Sequence, residues 1–163
     1  MEIEIKIAKQ TDTPSVHKYY TTLLEENISY ISDNPAPSLE EEEIFVRGFV
    51  KGPGELLLAF DGAEAVGMLA IQRSSHYQEN HRIHIGISVK KEYRGKGLGK
   101  QLLKSAEAWA KKNFVLSIEL EVIATNPAIN LYKKLGYKEI GRVKNGFKVN
   151  EEFLDVISMQ YTL

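Results

Sequence analysis

VKKEYRGKGLGKQLLK, Val89–Lys104, places three glycines and six cations in sixteen residues, after an alternating apolar run and before a helical pattern. Glycines let a backbone fold back on itself without Cβ clashes, so that successive N–H groups can converge on one anion. The four unpaired N–H groups at the start of the following helix add donors and a favourable dipole. A strand, a glycine turn and a helix in that order therefore predict a seat for a compact anion such as a phosphate.

Two common phosphate loops are excluded by counting. One places four residues between its glycines and then Lys-Ser/Thr, whereas Gly95 and Gly99 have three residues between them and Lys100 is followed by Gln101. The dinucleotide fingerprint needs a third glycine three places after the second, where this chain has Lys100, and it follows the first strand of a fold, which this loop does not.

The net charge of −1 conceals a local concentration: Val89–Lys104 carries +5 and the rest of the chain −6. Nucleic-acid binders spread their cations over a face with interleaved aromatics, and the only aromatic here is Tyr93, so a nucleic-acid partner is not expected. The 163 residues, 43% apolar and 26% charged, fit one domain over 1–163. With no twenty-residue apolar run and no basic-then-apolar leader, the expectation is a soluble cytoplasmic protein without a membrane partner. The absence of cysteine excludes disulfides and thiol catalysis. His81 and His84 lie three apart on a predicted strand and point to opposite faces, so no metal is expected.

Working outward, Ile3, Ile5 and Ile7 alternate as a first strand. Thr13-Pro14 reads as an N-cap and N1 opening a helix to about Glu26, and Ser38 with Glu41 forms a capping box ahead of a second helix. Ser29–Ser38 between them is a loop, and Glu40 to Glu43 a solvated first turn. GELLLAFDGAEAVGMLAIQ gives two strands joined at Asp61-Gly62. RIHIGISV is a strand with Ile83, Ile85, Ile87 and Val89 on one face. Leu98, Leu102, Leu103, Ala106, Trp109 and Ala110 recur at helical spacing to about Asn113. A strand, FVLSIELEVIA, follows, and then a short helix with Asn126 as N-cap, Pro127 at N1 and Gly136 as its left-handed stop. Two strands joined near Asn150 close the chain. The order β-αα-β-β-β-α-β-α-β-β combines a meander with crossovers and predicts a mixed α/β (α+β) fold with a mixed sheet of about seven strands and about four helices.

Arg94-Gly95-Lys96-Gly97-Leu98-Gly99 resembles the Arg-x-x-Gly-x-Gly/Ala motif of the GNAT superfamily of acyl-CoA-dependent N-acetyltransferases, and NLYKKLGYKEIG resembles its second motif. The similarity runs from about Glu55 to the end, with both motifs in order. It implies the GNAT fold, acetyl-CoA as cofactor, and transfer of an acetyl group to a primary amine of a small molecule or peptide by direct attack in a ternary complex. Small bacterial stand-alone members are the most similar in the DGAEAVGMLAI and EFLDVISMQ stretches.

The resemblance also implies roles. Backbone amides from Arg94 through Gly95, Lys96, Gly97, Leu98 and Gly99 to Lys100 would hold the CoA pyrophosphate, with charge from Arg94 and Lys96. The preceding strand would bulge and splay from the strand after the helix. Pantetheine would lie in that gap against Ile87 and Val89, with the Val89 N–H as oxyanion donor. The family commonly has an asparagine seven residues before the motif tyrosine; here that place holds Thr125, and Asn126 serves either as a helix cap or as a cofactor contact. Tyr132 matches the tyrosine that protonates the departing thiolate. Net transfer from a phenol of pKa ~10 to a thiol of ~8.5 is uphill by about 2 kcal/mol, which favours a hydrogen-bond donor role. Many members use a glutamate on or near the strand before the loop as base, where this strand offers His84. His76, Glu79, His81 and a water chain are the weaker alternatives, and Asp155 and Tyr30 could line the acceptor site. A catalytically silent CoA-binding regulator and a nucleotide-binding ATPase are the competing classes. The hydrophobic closing strand leaves a homodimer open.

Overall fold

The computed structural model describes residues 2–26 and 35–163. Tyr30 and the first six residues of the expected Ser29–Ser38 loop lie outside the described residues. Seven strands form one mixed sheet: β1 (Ile3–Ile7), β2 (Glu55–Asp61), β3 (Glu64–Arg73), β4 (Arg82–Val89), β5 (Ser117–Ile123), β6 (Lys138–Val149) and β7 (Glu152–Thr162), in the order β1-β2-β3-β4-β5-β7-β6. All neighbours are antiparallel except β4 and β5. That pair is joined by α3 (Leu98–Lys112), as a parallel crossover requires.

Helices cover the two faces separately. The period of two along the strands sends Leu57, Ala59, Leu69, Ile71, Ile83, Ile85, Ile118 and Leu120 to α3 and α4 (Ile129–Lys134). Leu56, Leu58 and Phe60 go to α1 (Thr13–Glu25) and α2 (Leu39–Lys51), where Val16, Tyr19, Leu23 and Val46 meet them. Burying Leu98, Leu102 and Leu103 alone is worth about 6 kcal/mol, enough to fix the position of the first turn of α3. The close approach of α3 depends on Gly67 of β3, where an added Cβ would stand 3.1 Å from Leu102 Cδ1.

Several local expectations shift. The N-cap position of α1 is Asp12, without a side-chain capping bond, because a 3-10 turn over Gln10–Asp12 draws Thr13 into the helix and the Thr13 hydroxyl donates back to the Gln10 carbonyl at 2.8 Å. The Ser38–Glu41 capping box forms with both of its bonds, at 3.2 and 2.7 Å. The glutamate run is not wholly solvated: helical spacing places Glu42 on the same stripe as Val46, leaving it 4% exposed, and burial pushes its carboxyl up. The β2–β3 turn is Gly62-Ala63, with Gly62 at φ +59°. α4 begins at Ile129, while Asn126 still caps the turn before it by accepting the Ala128 amide at 2.9 Å. Among the described residues no helix is long and apolar enough to cross a membrane.

Candidate active site

β4 and β5 pair only over Arg82–His84 and Ser117–Glu119, so β4 from Ile85 to Val89 runs beside a gap. The expected splay is present; the expected bulge in β4 is not, since its register with β3 is unbroken from Arg73↔Ile83 to Gly67↔Val89. That register decides what the gap sees. Lys90 N–H donates to the Val66 carbonyl at 3.0 Å, which makes this a bonded pair and, by alternation, makes Gly67↔Val89 and Leu69↔Ile87 non-bonded pairs. The backbone groups of Ile87 and Val89 therefore point away from β3, into the gap. The Val89 carbonyl accepts from Arg94 Nε at 2.8 Å, leaving the Val89 N–H directed at the opening.

The glycine loop leaves Val89 through a 3-10 turn, Lys91–Tyr93, and is fastened at each step. Buried Lys90 donates to Glu64 Oε1 at 2.6 Å, and the Tyr93 hydroxyl to Asp61 Oδ2 at 2.9 Å. Gly95 and Gly97 take φ of +70° and +86°. The first amide bonded back into the helix is that of Gln101, to the Gly97 carbonyl at 3.1 Å. The amides of residues 95–100 have no backbone acceptor among the described residues, so six donors stand together at the positive end of a 15-residue helix.

Arg94 departs from the expectation. Its amide donates to the Lys91 carbonyl at 3.2 Å, and its guanidinium is held by Glu26 and the Val89 carbonyl, so it braces the loop from within. Of the six cations, Lys90, Arg94 and Lys104 are paired with Glu64, Glu26 and Glu107. Lys91, Lys96 and Lys100 are exposed and carry no ion pair among the described residues. These three supply the unneutralised charge at the mouth of the loop.

Tyr132 reaches this end of the molecule because α4 packs on the first turn of α3: a Cβ on Gly99 would lie 3.3 Å from Leu131 Cδ2. Tyr132 is 6% exposed, its ring 5.9 Å from that of Tyr137, and burial pushes its phenol up to about 12. Relative to a thiol of ~8.5, net proton transfer from such a phenol would be uphill by about 5 kcal/mol, which suits the hydroxyl to donating a hydrogen bond while keeping its proton. Asn126 Oδ1 is committed to the cap, which leaves its NH2 group as the one able to face a cofactor.

His84 is not brought to the reacting end. It sits where β4 and β5 are still paired, opposite Glu119, and five residues of extended strand separate it from Val89, about 16 Å. That exceeds direct or single-water reach. His76, Glu79 and His81 precede β4 and are farther still; Glu79 is bonded to Ser74 and Arg82. Asp155 is bonded to Arg142 and the Asn145 amide. The sequence reading passed over two carboxylates. The period of two along SIELEVI places Glu119 and Glu121 on the same sheet face as His84. Glu119 is held by Arg82 and Gln160, both at 3.0 Å. Glu121 lies two residues beyond the last β4–β5 pair, exposed, with no ion pair among the described residues.

The family model described as the acetyltransferase (GNAT) family matches residues 17–137, which takes in the splayed strands, the glycine loop and Tyr132. The chain belongs to the GNAT family. A segment of this GNAT protein is 38% identical over 78 residues to a proposed ribosomal protein bS18-alanine N-acetyltransferase of Bacillus subtilis, a match spanning 47% of this chain and about half (50%) of that relative. An acetyltransferase of the GNAT family from Streptococcus pneumoniae superposes with a TM-score of 0.91 at 27% identity, covering 99% of this chain and 100% of the other. A proposed acetyltransferase of Salmonella typhimurium, solved with its cofactor acetyl-CoA, superposes with a TM-score of 0.87 at 16% identity over 99% and 94% of the two chains.

Proposed function

We propose that this protein transfers the acetyl group of acetyl-CoA to a primary amine of a small molecule or peptide by direct attack in a ternary complex. The observation that carries this reading is the adjacency of two open donor sets: the six amides of residues 95–100 and, along the same strand-loop-helix unit, the inward-facing backbone of Ile87 and Val89. The first fits a diphosphate, the second an extended amide chain laid beside β4. Bound there, acetyl-CoA supplies a thioester carbonyl activated for attack. Val89 N–H donates to its oxygen as negative charge develops, and Tyr132 donates to the sulfur as it departs. Lys96 and Lys100 add charge at the diphosphate, and Asn126 NH2 offers a contact to pantetheine.

An amine of pKa ~10.4 is free base in only about one part in two thousand at pH 7, so a proton acceptor is required. Glu121 takes this role in place of His84, through bridging water, because it stands beyond the paired part of β4 and β5, level with Gly86 and two strand residues nearer Val89. The same reading places the enzyme in the cytoplasm as a single domain. A homodimer would use β6, the edge strand on which Ile140 and Val143 are exposed.

The test is thiol release from acetyl-CoA across a panel of amino acids, polyamines and peptides with free N-termini, on wild type and Tyr132→Phe. Turnover on at least one amine, falling about 100-fold in kcat in the variant with acetyl-CoA affinity kept, is the expected result. Acetyl-CoA binding with no turnover on any amine would overturn it.

A further inference from the structure

Glu26 closes α1, and an anion at that position opposes the helix dipole, which favours cations at a C-terminus. Its carboxylate is nonetheless drawn inward, 12% exposed, and bonds only to the segment after β4. Oε1 accepts the Lys91 amide at 3.0 Å and Oε2 accepts from the Arg94 guanidinium. Arg94 in turn holds the Val89 carbonyl through Nε, so one carboxylate fixes both ends of the segment between β4 and the first glycine.

We propose that Glu26 is a positioning residue for acetyl-CoA, setting the 89–94 segment so that the Val89 N–H and the six loop amides are presented together. The inference rests on the reading of residues 95–100 as the diphosphate seat. The two carboxylate bonds anchor the loop to α1, and the ion pair keeps Arg94 on the Val89 carbonyl rather than letting it swing to the ligand. Glu26 is also the C-cap residue that follows α1, so the clamp ties the α1–α2 side of the protein to the cofactor loop.

The experiment is a double-mutant cycle on acetyl-CoA affinity, measured by titration calorimetry with Glu26→Gln, in which Gln is near-isosteric with Glu, Arg94→Gln and the pair, with thermal midpoints checking the fold of each. Glu26→Gln is expected to weaken acetyl-CoA binding about tenfold while leaving the KM of the amine within twofold, and the double variant to be no weaker than Arg94→Gln alone. Tighter or unchanged binding in Glu26→Gln, or losses that add, would overturn the positioning role. Hydrogen exchange of wild type with and without acetyl-CoA separates the two levels. Protection of residues 95–100 together with an unaffected Glu26→Gln sinks only the role of Glu26, whereas no protection there removes the diphosphate seat and this inference with it.

Discussion

Replacing Gly97 by alanine tests whether the glycine loop is rigid before any ligand arrives. Gly97 sits at φ +86°, ψ −3°, and an added Cβ meets no heavy atom of the described residues within 4 Å, so the cost is conformational. A left-handed alanine costs about 1–2 kcal/mol. The loop could escape that cost by turning Gly97 to negative φ, but its flanks forbid it. Arg94 is tied to Glu26 and Val89 on one side, and Leu98, 3% exposed, is buried under the sheet on the other, with only three residues between. Releasing Leu98 would lose about 2 kcal/mol, as much as the strain itself. The strain should therefore appear in the stability of the ligand-free protein as a fall in Tm of about 2–8 °C for a chain of this size. Acetyl-CoA affinity reports separately on a methyl placed among the amides and should also fall. Thermal unfolding without ligand is the deciding assay: a Gly97→Ala protein as stable as wild type would show that the turn is not locked, and the argument for a preformed seat would fail.

Gly99→Ala should be tolerated within about 0.5 kcal/mol, because helix propensity gains about 1 kcal/mol while the new Cβ presses only on the flexible end of Leu131 at 3.3 Å; chemical denaturation would check it. Glu121→Gln is expected to lower kcat/KM about 100-fold at pH 7 and far less near pH 10, where the amine supplies its own free base; an equal loss at both pH values would remove Glu121 as proton acceptor. In wild type, kcat/KM should rise with pH without a descending limb below pH 10 from Tyr132, since its phenol, pushed up to about 12, keeps its proton throughout; a fall near pH 9 that disappears in Tyr132→Phe would contradict this. Glu107, bonded to Lys104 and Lys111 at 2.6 and 2.8 Å, has its carboxyl held down to about 2. A depressed carboxylate stabilises the fold above its unfolded pKa and loses that contribution as pH falls from about 4.5 towards 2. Glu107→Gln should cost about 1 kcal/mol at neutral pH, discounted for its exposed lysine partners, and progressively less as pH falls towards 2.

What could be read from sequence here was whatever is periodic or punctuated over a few residues. RIHIGISV announced β4 by alternation, Leu98 to Ala110 announced α3 by its stripe, and Gly95, Gly97 and Gly136 marked turns that do take positive φ. Pairing over long distances left no such mark. β7 inserts between β5 and β6, and nothing in EFLDVISMQYTL says which strands will flank it. The same limit applies to the position of His84. Alternation correctly set His84 on the face away from Ile83 and Ile85, but which end of β4 opens depends on a register shared with β5, thirty-odd residues later. Once that register closes β4 at Arg82–His84, the histidine belongs to the paired end of the sheet, and Glu121, legible only as one more alternating residue of β5, lies past the last pair.

Charge was misjudged for a related reason. Six cations in sixteen residues suggested a strongly positive loop, yet Glu64, Glu26 and Glu107 reach in from the β2–β3 hairpin, from α1 and from the next turn of α3 to neutralise half of them. The paired cations are the ones with structural work: Lys90 and Arg94 hold the loop to the hairpin and to α1. Those with no ion pair among the described residues, Lys91, Lys96 and Lys100, are exposed. Two populations of cation in one stretch therefore carry opposite expectations. Removing Lys96 or Lys100 should weaken acetyl-CoA binding more at low salt than at high salt, since exposed charges are screened. Removing the Arg94 charge should weaken it by an amount that salt hardly changes, because that loss acts through the shape of the loop.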